Sequence, residues 1–574
     1  MSFNLFSKAF QSSDSIRSAD IITNVKNFGA VGNGIIDDST SIQNAIDHTA
    51  SVGGGTVHFP SGTYLVKNNI ILRNKVNLLG FKGSSQLMFD DTFVGNKPNN
   101  PNKIYHPVMW NEHNKRTYDE ATADSFVIRD LIFTKSTTSA DLKVIIFLAN
   151  TNGVIIDGCQ FDMSGTVVSL ALYVFSCNYN LTLQNNTFTN LTGTDTGGGV
   201  WICNLTEEPN ETNKTYNINI NNNNFIINSG DESLGLYGRD GIVKTVYVTN
   251  NKFTTLKSAT TAQSKVLAIF GRTLSTGIEG AGVENVIVSS NIFEIEEIEA
   301  GVITIGGSVS NTDIIKNILI ASNIIRFKTD LTNSLAVGIL GNDLGIAENI
   351  KVSNNIISNI GEKSFKYGIY KMWDVEGNEV SGQYLQASIA DCTNVFNNCL
   401  YDNLYSGSSA IRNSALLSNN IIKNCLRGIL INSTGIYTIQ NNKIELPDNA
   451  SAIGIQIATA PSKDIIIGNI INTTNSQSVA FNFSIGVITM INNMKFGKGR
   501  YLDGRVILAF SQGNRIDEFG FDTFYPGRII DNEIQDALPV GHICLDSTES
   551  AVMGWKKMLL GNGADKWQQV NVFY

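Results

Sequence analysis

Short segments that alternate apolar with polar residues recur along most of the chain. Six of them are NLTLQ (180–184), NININ (217–221), TVYVT (245–249), NVIVS (285–289), NILIA (317–321) and NIKVS (349–353). A period of two predicts strands with one buried side and one outer side. A small polar pair, mostly Asn, and then an apolar pair follow these segments, as in NNKF, SNIF and SNII. Each unit therefore predicts a strand, a tight turn and a second strand.

The second polar residue of each string is an Asn that marks the repeat. The markers are Asn186, Asn223, Asn251, Asn291, Asn323, Asn355, Asn378, Asn398, Asn420, Asn442, Asn469 and Asn493. They follow one another at steps of 20 to 40 residues, which is typical of a solenoid. Asn suits such turns because it tolerates left-handed backbone angles, and stacked Asn side chains form ladders. We therefore predict an all-β fold, a right-handed single-stranded parallel β-helix with strands about 4.8 Å apart.

Composition restricts the partners of this solenoid. The chain has 574 residues, of which 16% are charged, and its formal net charge is −9. An acidic surface argues against nucleic acid and against an anionic membrane, and no apolar run is long enough to span a bilayer. The seven cysteines form no CxxC motif, which favours reduced thiols and assembly in a cytoplasm. The five histidines show no metal-ligand spacing, so we expect no metal and no cofactor.

The start of the solenoid carries the most specific pattern. Residues 24–66 read NVKNFGAVGNGIIDDSTSIQNAIDHTASVGGGTVHFPSGTYLV. Within them, Ile42, Ala45, Ile46 and Thr49 line one face of a predicted short helix. A helix of this kind would cover the open end of a β-helix and shield its strand edges.

This segment resembles the N-terminal motif of the pectate-lyase-like β-helix proteins of phage tailspikes and capsule depolymerases. The resemblance implies a homotrimer that binds and usually cleaves bacterial surface polysaccharide. It also implies a phage tail or baseplate protein as a partner and a location in the virion tail. Longer members carry a particle-attachment domain, and no sizeable one precedes Asn24 here.

Changes in the pattern predict five regions. Residues 1–20 are a short leader, and residues 21–89 form the N-terminal cap and the first coils. Residues 90–124 break the strand pattern and are expected to be an insertion loop. Residues 125–496 form the parallel β-helix with a substrate groove. Residues 497–574 lose the Asn rhythm and predict a β-rich module for trimerisation or glycan binding.

The longest steps between markers lie between Asn186 and Asn291, so extra residues there must leave the coil as loops, where binding sites concentrate. In this part, the neighbours of inward-pointing isoleucines and leucines point outward. The predicted outward stripe consists of Trp201, Tyr237, Phe270 and Tyr370, with Arg239 and Arg272 beside it. Aromatic faces stack on sugars, and Arg binds carboxylates. A trimer interface that buries the stripe is the alternative.

Carboxylates flank the stripe on both sides. Asp195, Asp231 and Glu232 precede its strands, and Glu207, Glu208 and Asp240 follow them. Glycoside hydrolysis needs two carboxyl groups about 5–5.5 Å apart for retention or about 6.5–9.5 Å apart for inversion, and neighbouring coils supply such separations. The hypothesis assigns catalysis to Asp231, Glu232 and Asp240, and the remaining residues of the stripe and its flanks to substrate binding.

Three classes of function stay open at this point. The first is an endo-acting glycoside hydrolase on capsular or related polysaccharide. The second is a polysaccharide lyase, which would use Lys265, Tyr237 and Arg239 against a uronate. The third is a spike that binds its receptor without cleaving it.

Overall fold

The computed structural model describes most of the chain between residues 21 and 571. The described ranges are 21–89, 106–113, 119–135, 143–162, 169–191, 198–204, 214–227, 232–239, 241–256, 265–272, 281–307, 314–328, 336–342, 346–360, 365–458, 463–483, 487–498, 500–504, 507–512, 515–516, 543–546, 553–559 and 565–571. From residue 499 onward they concern the backbone alone. The predicted leader 1–20 lies outside them.

Parallel strands stack into three long faces. Face 1 contains Ile70–Leu72, His106–Asn111, Lys143–Asn152, Ser169–Gln184, Gly198–Asn204, Glu232–Arg239, Lys265–Arg272, Gly301–Gly307, Val337–Asn342, Phe365–Tyr370, Tyr384–Ala390, Ser409–Arg412, Arg427–Ile431, Ile453–Ile457, Val479–Phe483 and Arg500–Gly504. Its strands pair in register with the preceding and following coils. This arrangement confirms the predicted parallel β-helix.

Face 2 follows face 1 in each coil. It contains Ile22–Asn24, Gly55–Phe59, Val76–Gly80, Val127–Arg129, Ile155–Asp157, the second half of Ser169–Gln184, Lys214–Asn221, Ile242–Thr249, Gly282–Ser289, Ile314–Ala321, Ile346–Ser353, Asp374–Glu376, Asn394–Phe396, Leu416–Ser418, Thr438–Gln440, Lys463–Ile467, Val487–Ile491 and Ile507–Gln512. The six alternating segments named above all lie on this face, and two apolar residues of each, such as Val246 and Val248, belong to the core.

Face 3 closes each coil. It contains Asn33–Asp37, Gly62–Val66, Ser85–Phe89, Ile132–Lys135, Gln160–Asp162, Thr187–Leu191, Asn224–Ile227, Lys252–Thr255, Ile292–Ile295, Ile324–Phe327, Ile356–Asn359, Glu379–Ser381, Cys399–Tyr401, Ile421–Lys423, Lys443–Glu445, Ile470–Thr473, Met494–Gly497 and Arg515–Ile516. Phe133, Phe161, Phe188, Phe225, Phe253 and Phe293 stack inside it, with ring centroids 4.6 to 4.9 Å apart. Because identical rings occupy identical register positions, the core is a column of repeated contacts.

The marker asparagines form a buried ladder between face 2 and face 3. Each amide Nδ2 donates to Oδ1 of the marker in the next coil at 2.9 to 3.0 Å. The residue just before the marker takes the left-handed conformation, as Asn250 does with φ 56°. The two polar residues of each string therefore have different roles. The first adopts the left-handed turn conformation, and the second forms hydrogen bonds to the neighbouring coils.

A single described α-helix, Ser39–Ser51, covers the N-terminal end, and a 3₁₀ helix, Val25–Phe28, precedes it. The buried face of the α-helix includes Ile42, Ala45, Ile46 and Thr49, as predicted. No helix among the described residues is both long enough and apolar enough to cross a membrane.

Two predicted boundaries need correction. His106–Asn111, inside the stretch 90–124 that was expected to be an insertion loop, pairs with Lys143–Asn152 and belongs to face 1. The Pro and charged residues around this strand hid its short apolar core. The coil also continues beyond residue 496, because Arg500–Gly504 and the two strands after it still pair in the faces.

The last described strands form a separate antiparallel sheet. Ile543–Asp546 pairs with Met553–Leu559, which pairs in turn with Asp565–Asn571. This sheet fits the predicted β-rich character of the C-terminal region. Its role in trimerisation or glycan binding stays a prediction.

Candidate functional site

The long connections of the solenoid adjoin face 1. Face 2 passes to face 3 through two residues, as at Asn250 and Asn251, whereas nine residues (273–281) separate the face 1 strand Lys265–Arg272 from face 2. The long connections thus border face 1, and its outer side is the surface that these variable loops flank. Function on a rigid scaffold concentrates at such loop-flanked surfaces.

The outer side of face 1 carries a second apolar cluster, separate from the core. Ile202, Leu236 and Ile269 point into the core, so their neighbours point outward. This outer cluster contains Val144, Phe147, Ala149, Leu170, Tyr173, Phe175, Trp201, Cys203, Tyr237 and Ala268, with Trp110 and Phe270 packed against it. The predicted outward direction of Trp201, Tyr237 and Phe270 is therefore consistent with the structure.

The aromatic rings of the outer cluster form a chain along the solenoid axis. Trp201 and Tyr237 meet edge to face with centroids 5.8 Å apart. Tyr237 and Phe270 stack at 6.1 Å, because Tyr237 lies opposite Phe270 in the register of the two strands. Tyr173 extends the chain to the previous coil, 6.0 Å from Trp201.

Charged groups are built into this aromatic chain. The Glu232 side chain is fully buried, and its Oε1 accepts a hydrogen bond from the Tyr237 hydroxyl. The Arg239 guanidinium lies 4.5 Å from the Tyr237 ring centroid and 5.3 Å from that of Trp201. Such cation–π contacts help to hold a guanidinium against aromatic rings. The site thus combines one buried carboxyl group with a positive charge.

A second cation lies in the next coil. The Lys265 Nζ is 5.7 Å from the Phe270 ring centroid, and the pairing of Leu234 with Leu267 places Lys265 opposite Glu232. A carboxyl group in apolar surroundings can transfer protons, and the two cations can bind an anionic sugar. Burial also raises the pKa of the Cys203 thiol in this cluster to about 11.

The aromatic surface is less open than the sequence suggested. Trp201 is 3% exposed and Tyr237 is 7% exposed in the single chain. Their rings contact each other, and Arg239 lies over both, so these rings offer little free surface to a sugar. Phe270, Lys265 and Arg239 are only half-buried.

The structure leaves part of the predicted site untested and separates Tyr370 from it. Asp195, Glu207, Asp231 and Asp240 lie outside the described residues. The backbone of Arg272 pairs with that of Arg239, and its side chain is outside the description. Tyr370 belongs to a different cluster, three coils beyond Phe270 and therefore about 14 Å away along the axis. The stripe is thus divided into two parts.

A polar network that no sequence pattern indicated lies at the first coils of face 1. His113 Nδ1 lies 2.7 Å from Oδ1 of the fully buried Asp124, and Asn111 Nδ2 donates to the other oxygen of Asp124 at 2.7 Å. The neighbouring Glu112 pairs with Arg73 at 2.9 Å. Ligand atoms of Glu112, His113 and Asp124 lie within 4.8 Å of one another, but a cation there would compete with Arg73. The network fixes the chain where it turns from face 1 towards face 2.

Parts of the chain are similar to known proteins. Residues 22–283 match the family described as rhamnogalacturonase A/epimerase, pectate lyase-like. A stretch of 60 residues is 52% identical to plasmin and fibronectin-binding protein A of Streptococcus pneumoniae, covering 10% of this chain and 8% of that protein. Another of 68 residues is 44% identical to mannuronan C5-epimerase AlgE4 of Azotobacter vinelandii, covering 12% and 10%. The matches thus span about a tenth of these relatives.

Two solved structures are similar over most of the chain. The Streptococcus pneumoniae surface adhesin PfbA shows 18% identity and a TM-score of 0.44, covering 85% of this chain and 100% of that one. The tailspike of E. coli bacteriophage HK620, solved with a hexasaccharide, shows 13% identity and a TM-score of 0.39, covering 84% and 80%. The family match agrees with the parallel β-helix, and the pectate-lyase-like part of the predicted resemblance is confirmed. Assignment to phage tailspikes stays a prediction.

Proposed function

We propose that the protein is a depolymerase that binds and hydrolyses acidic bacterial surface polysaccharide at the outer cluster of face 1. The observation that carries the proposal is the buried Glu232 carboxyl group, which is hydrogen-bonded to Tyr237, the residue whose ring lies against the Arg239 cation. The pectate-lyase-like family match over residues 22–283 supports polysaccharide as the substrate class.

The proposed mechanism uses Glu232 as the proton donor. Its carboxyl group protonates the glycosidic oxygen while the bond to the anomeric carbon breaks, and a second carboxylate activates water or attacks the anomeric carbon. Asp231 and Asp240 are the candidates for that second group, since they flank the strand Glu232–Arg239. Arg239 and Lys265 bind the carboxylate of an acidic sugar.

The test changes Glu232 to Gln, which keeps the shape and removes the acid. A glycan array first identifies the polysaccharide, and reducing ends are then followed with time. We expect turnover to fall about 10²–10⁴-fold while binding persists. Glu284→Gln is the matched control, because Glu284 pairs with Lys244 at 3.1 Å on face 2, away from the site.

Two outcomes would contradict hydrolysis at this site. Wild-type turnover in Glu232→Gln would move the acid elsewhere. Binding by the wild-type protein without any rise in reducing ends would favour the receptor-binding alternative.

A lyase is the second candidate, and one observation favours it. Among the side chains that the structure describes in the outer cluster, Tyr237, Arg239 and Lys265 stand beside a single carboxyl group, Glu232. A tyrosine or lysine that removes a proton next to a uronate carboxylate, with an arginine against that carboxylate, would give β-elimination. Ultraviolet absorbance of an unsaturated product identifies this reaction, and its absence together with new reducing ends identifies hydrolysis.

We also propose that the protein acts as a homotrimer in a phage virion tail, attached to a tail or baseplate protein. A solenoid offers lengthwise faces that a threefold axis can pair repeatedly. Light scattering should give three times the mass of the chain, and a monomer at micromolar concentration would contradict the proposal.

A further inference from the structure

A second cluster lies further along the outer side of face 1. This distal cluster consists of Val337, Leu340, Tyr367, Tyr370, Ala387 and Ala390, and it is separate from both the core and the outer cluster. Tyr370 was predicted to share a groove with Phe270, but the register places Thr304 and Leu340 between their coils. The distal cluster therefore needs its own explanation.

Two stacked tyrosines form its centre. The rings of Tyr367 and Tyr370 are 4.2 Å apart and nearly parallel, at 4°. In the next coil Ala387 lies opposite Tyr367, and Ala390 lies opposite Tyr370. Two alanines beneath two tyrosines make a step in the surface, since the side chains shrink from rings to methyl groups within about 4.8 Å.

Cations surround the step. The Lys371 Nζ lies 5.4 Å from the Tyr370 ring centroid, and the Lys366 Nζ lies 5.6 Å from that of Tyr367. Arg412 lies opposite Ala390 in the coil that follows. Positive charge therefore borders the step on the side of both rings and on the side of the alanines.

One carboxylate and two amides orient these groups. Asp391 lies near Tyr370, and burial together with the negative charge of Asp391 raises the pKa of Tyr370 to about 12. Arg412 donates through Nη1 to Gln386 and through Nε to Asn432 at 3.3 Å. Neutral amides hold the guanidinium in place without neutralising it.

A buried hydroxyl group continues the same row. Ser409 follows Tyr367 and Ala387 in register and is fully buried. Within the described part of the chain, no group is within hydrogen-bonding range of its Oγ, nor of Nε of the neighbouring Arg427. A buried polar atom without a hydrogen-bond partner lowers the stability of the fold, and an oxygen of a bound ligand would supply that partner.

From this arrangement we infer that the distal cluster is a separate binding site for a carboxylated sugar. A sugar ring would lie on the step against Tyr370, with its carboxylate directed to Arg412 and Lys371. The inference rests on the proposed polysaccharide substrate and adds to it a site without a role in bond cleavage. A polymer lying along the axis would contact the outer cluster and the distal cluster together.

The test measures binding of galacturonate and glucuronate by calorimetry, with neutral galactose for comparison. Arg412→Gln removes the charge, and Lys371→Asn removes the second one at a left-handed position, φ 56°, which Asn tolerates. We expect wild-type protein to bind the uronates with millimolar Kd and galactose more weakly. Each variant should weaken uronate binding at least tenfold.

Arg326→Gln is the matched control, because it removes an exposed arginine on face 3. It should bind uronates as the wild type does. Uronate binding that is absent in the wild type, or unchanged in both Arg412→Gln and Lys371→Asn, overturns the inference. Glu232→Gln separates the two proposals, because it should lower turnover about 10²–10⁴-fold and leave this uronate site intact.

Discussion

Loss of one rung of the asparagine ladder should destabilise the solenoid strongly, although the rung touches no ligand. Asn291 is fully buried. Its Oδ1 accepts from the Asn251 backbone N–H at 2.9 Å and from Asn251 Nδ2 at 3.0 Å. Its Nδ2 donates to the Val248 carbonyl at 2.8 Å and to Asn323 Oδ1 at 2.9 Å. Asn291→Ala removes all four contacts at once.

The size of the effect follows from which partners are left without a bond. Asn251 Nδ2 still donates to Ile220, and Asn323 Oδ1 still accepts from the Asn291 backbone. The Asn251 N–H loses its acceptor, and the Val248 carbonyl loses a donor. At about 1–3 kcal/mol for each buried group, the substitution should cost about 2–6 kcal/mol.

The assay is guanidinium denaturation followed by circular dichroism, with the shift of the midpoint multiplied by the wild-type slope. Asn349→Gly is the control. Asn349 also bonds along the axis, to Asn317 Oδ1 at 2.9 Å, but it is exposed and has φ 54°. Water replaces its lost bond, so it should cost below about 1 kcal/mol. Equal midpoints for Asn291→Ala and Asn349→Gly would refute the ladder argument.

Two further predictions concern packing and pH. In Gly235→Ala the new Cβ would lie 2.3 Å from Cε2 of Tyr237. We therefore expect the free energy of unfolding to fall by about 1–3 kcal/mol and turnover to decrease, because the Tyr237 ring must move. An unchanged near-ultraviolet circular dichroism spectrum would contradict this prediction. Burial raises the pKa of the Cys159, Cys392 and Cys425 thiols from 9.0 to about 12. Above pH 9 these thiols ionise in the unfolded chain but stay protonated in the folded chain. Their contribution to the free energy of unfolding should therefore be complete below pH 9 and decrease as the pH rises towards 12. Denaturation midpoints that stay constant over this range would count against the prediction.

The fold was predictable because its periodic features are local. A strand of period two, a left-handed residue and a ladder asparagine occupy neighbouring positions, so residues 245–251 already contain the rule for a whole coil. The strand His106–Asn111 escaped the same reasoning, since it lacks a following Asn pair and begins with His and Pro. Its place in face 1 depends on pairing with strands distant in the sequence.

The site was less predictable because it depends on the number of coils between residues. The alternation in each strand identified Trp201, Tyr237 and Phe270 as outward residues, and they do form one cluster. The same alternation could not separate Tyr370 from them, since the direction of a side chain carries no distance along the axis. Nor could it reveal that Glu232 is buried against Tyr237, because that contact joins the two ends of one strand across Gly235.

The three faces of the solenoid differ in how regularly their contacts repeat from coil to coil. The ladder and the Phe stack confine faces 2 and 3 to repeated contacts, since a ladder asparagine must bond to its equivalent in the next coil. Among the described side chains, the outer side of face 1 carries no such repeat: its two clusters change from Trp and Tyr with Glu232 to a tyrosine pair with Arg412. Both clusters place cations beside aromatic rings. A surface that varies along the axis while keeping cations beside aromatic rings would suit the acidic polymer that we propose as substrate, because each coil would meet a different sugar of the same polymer.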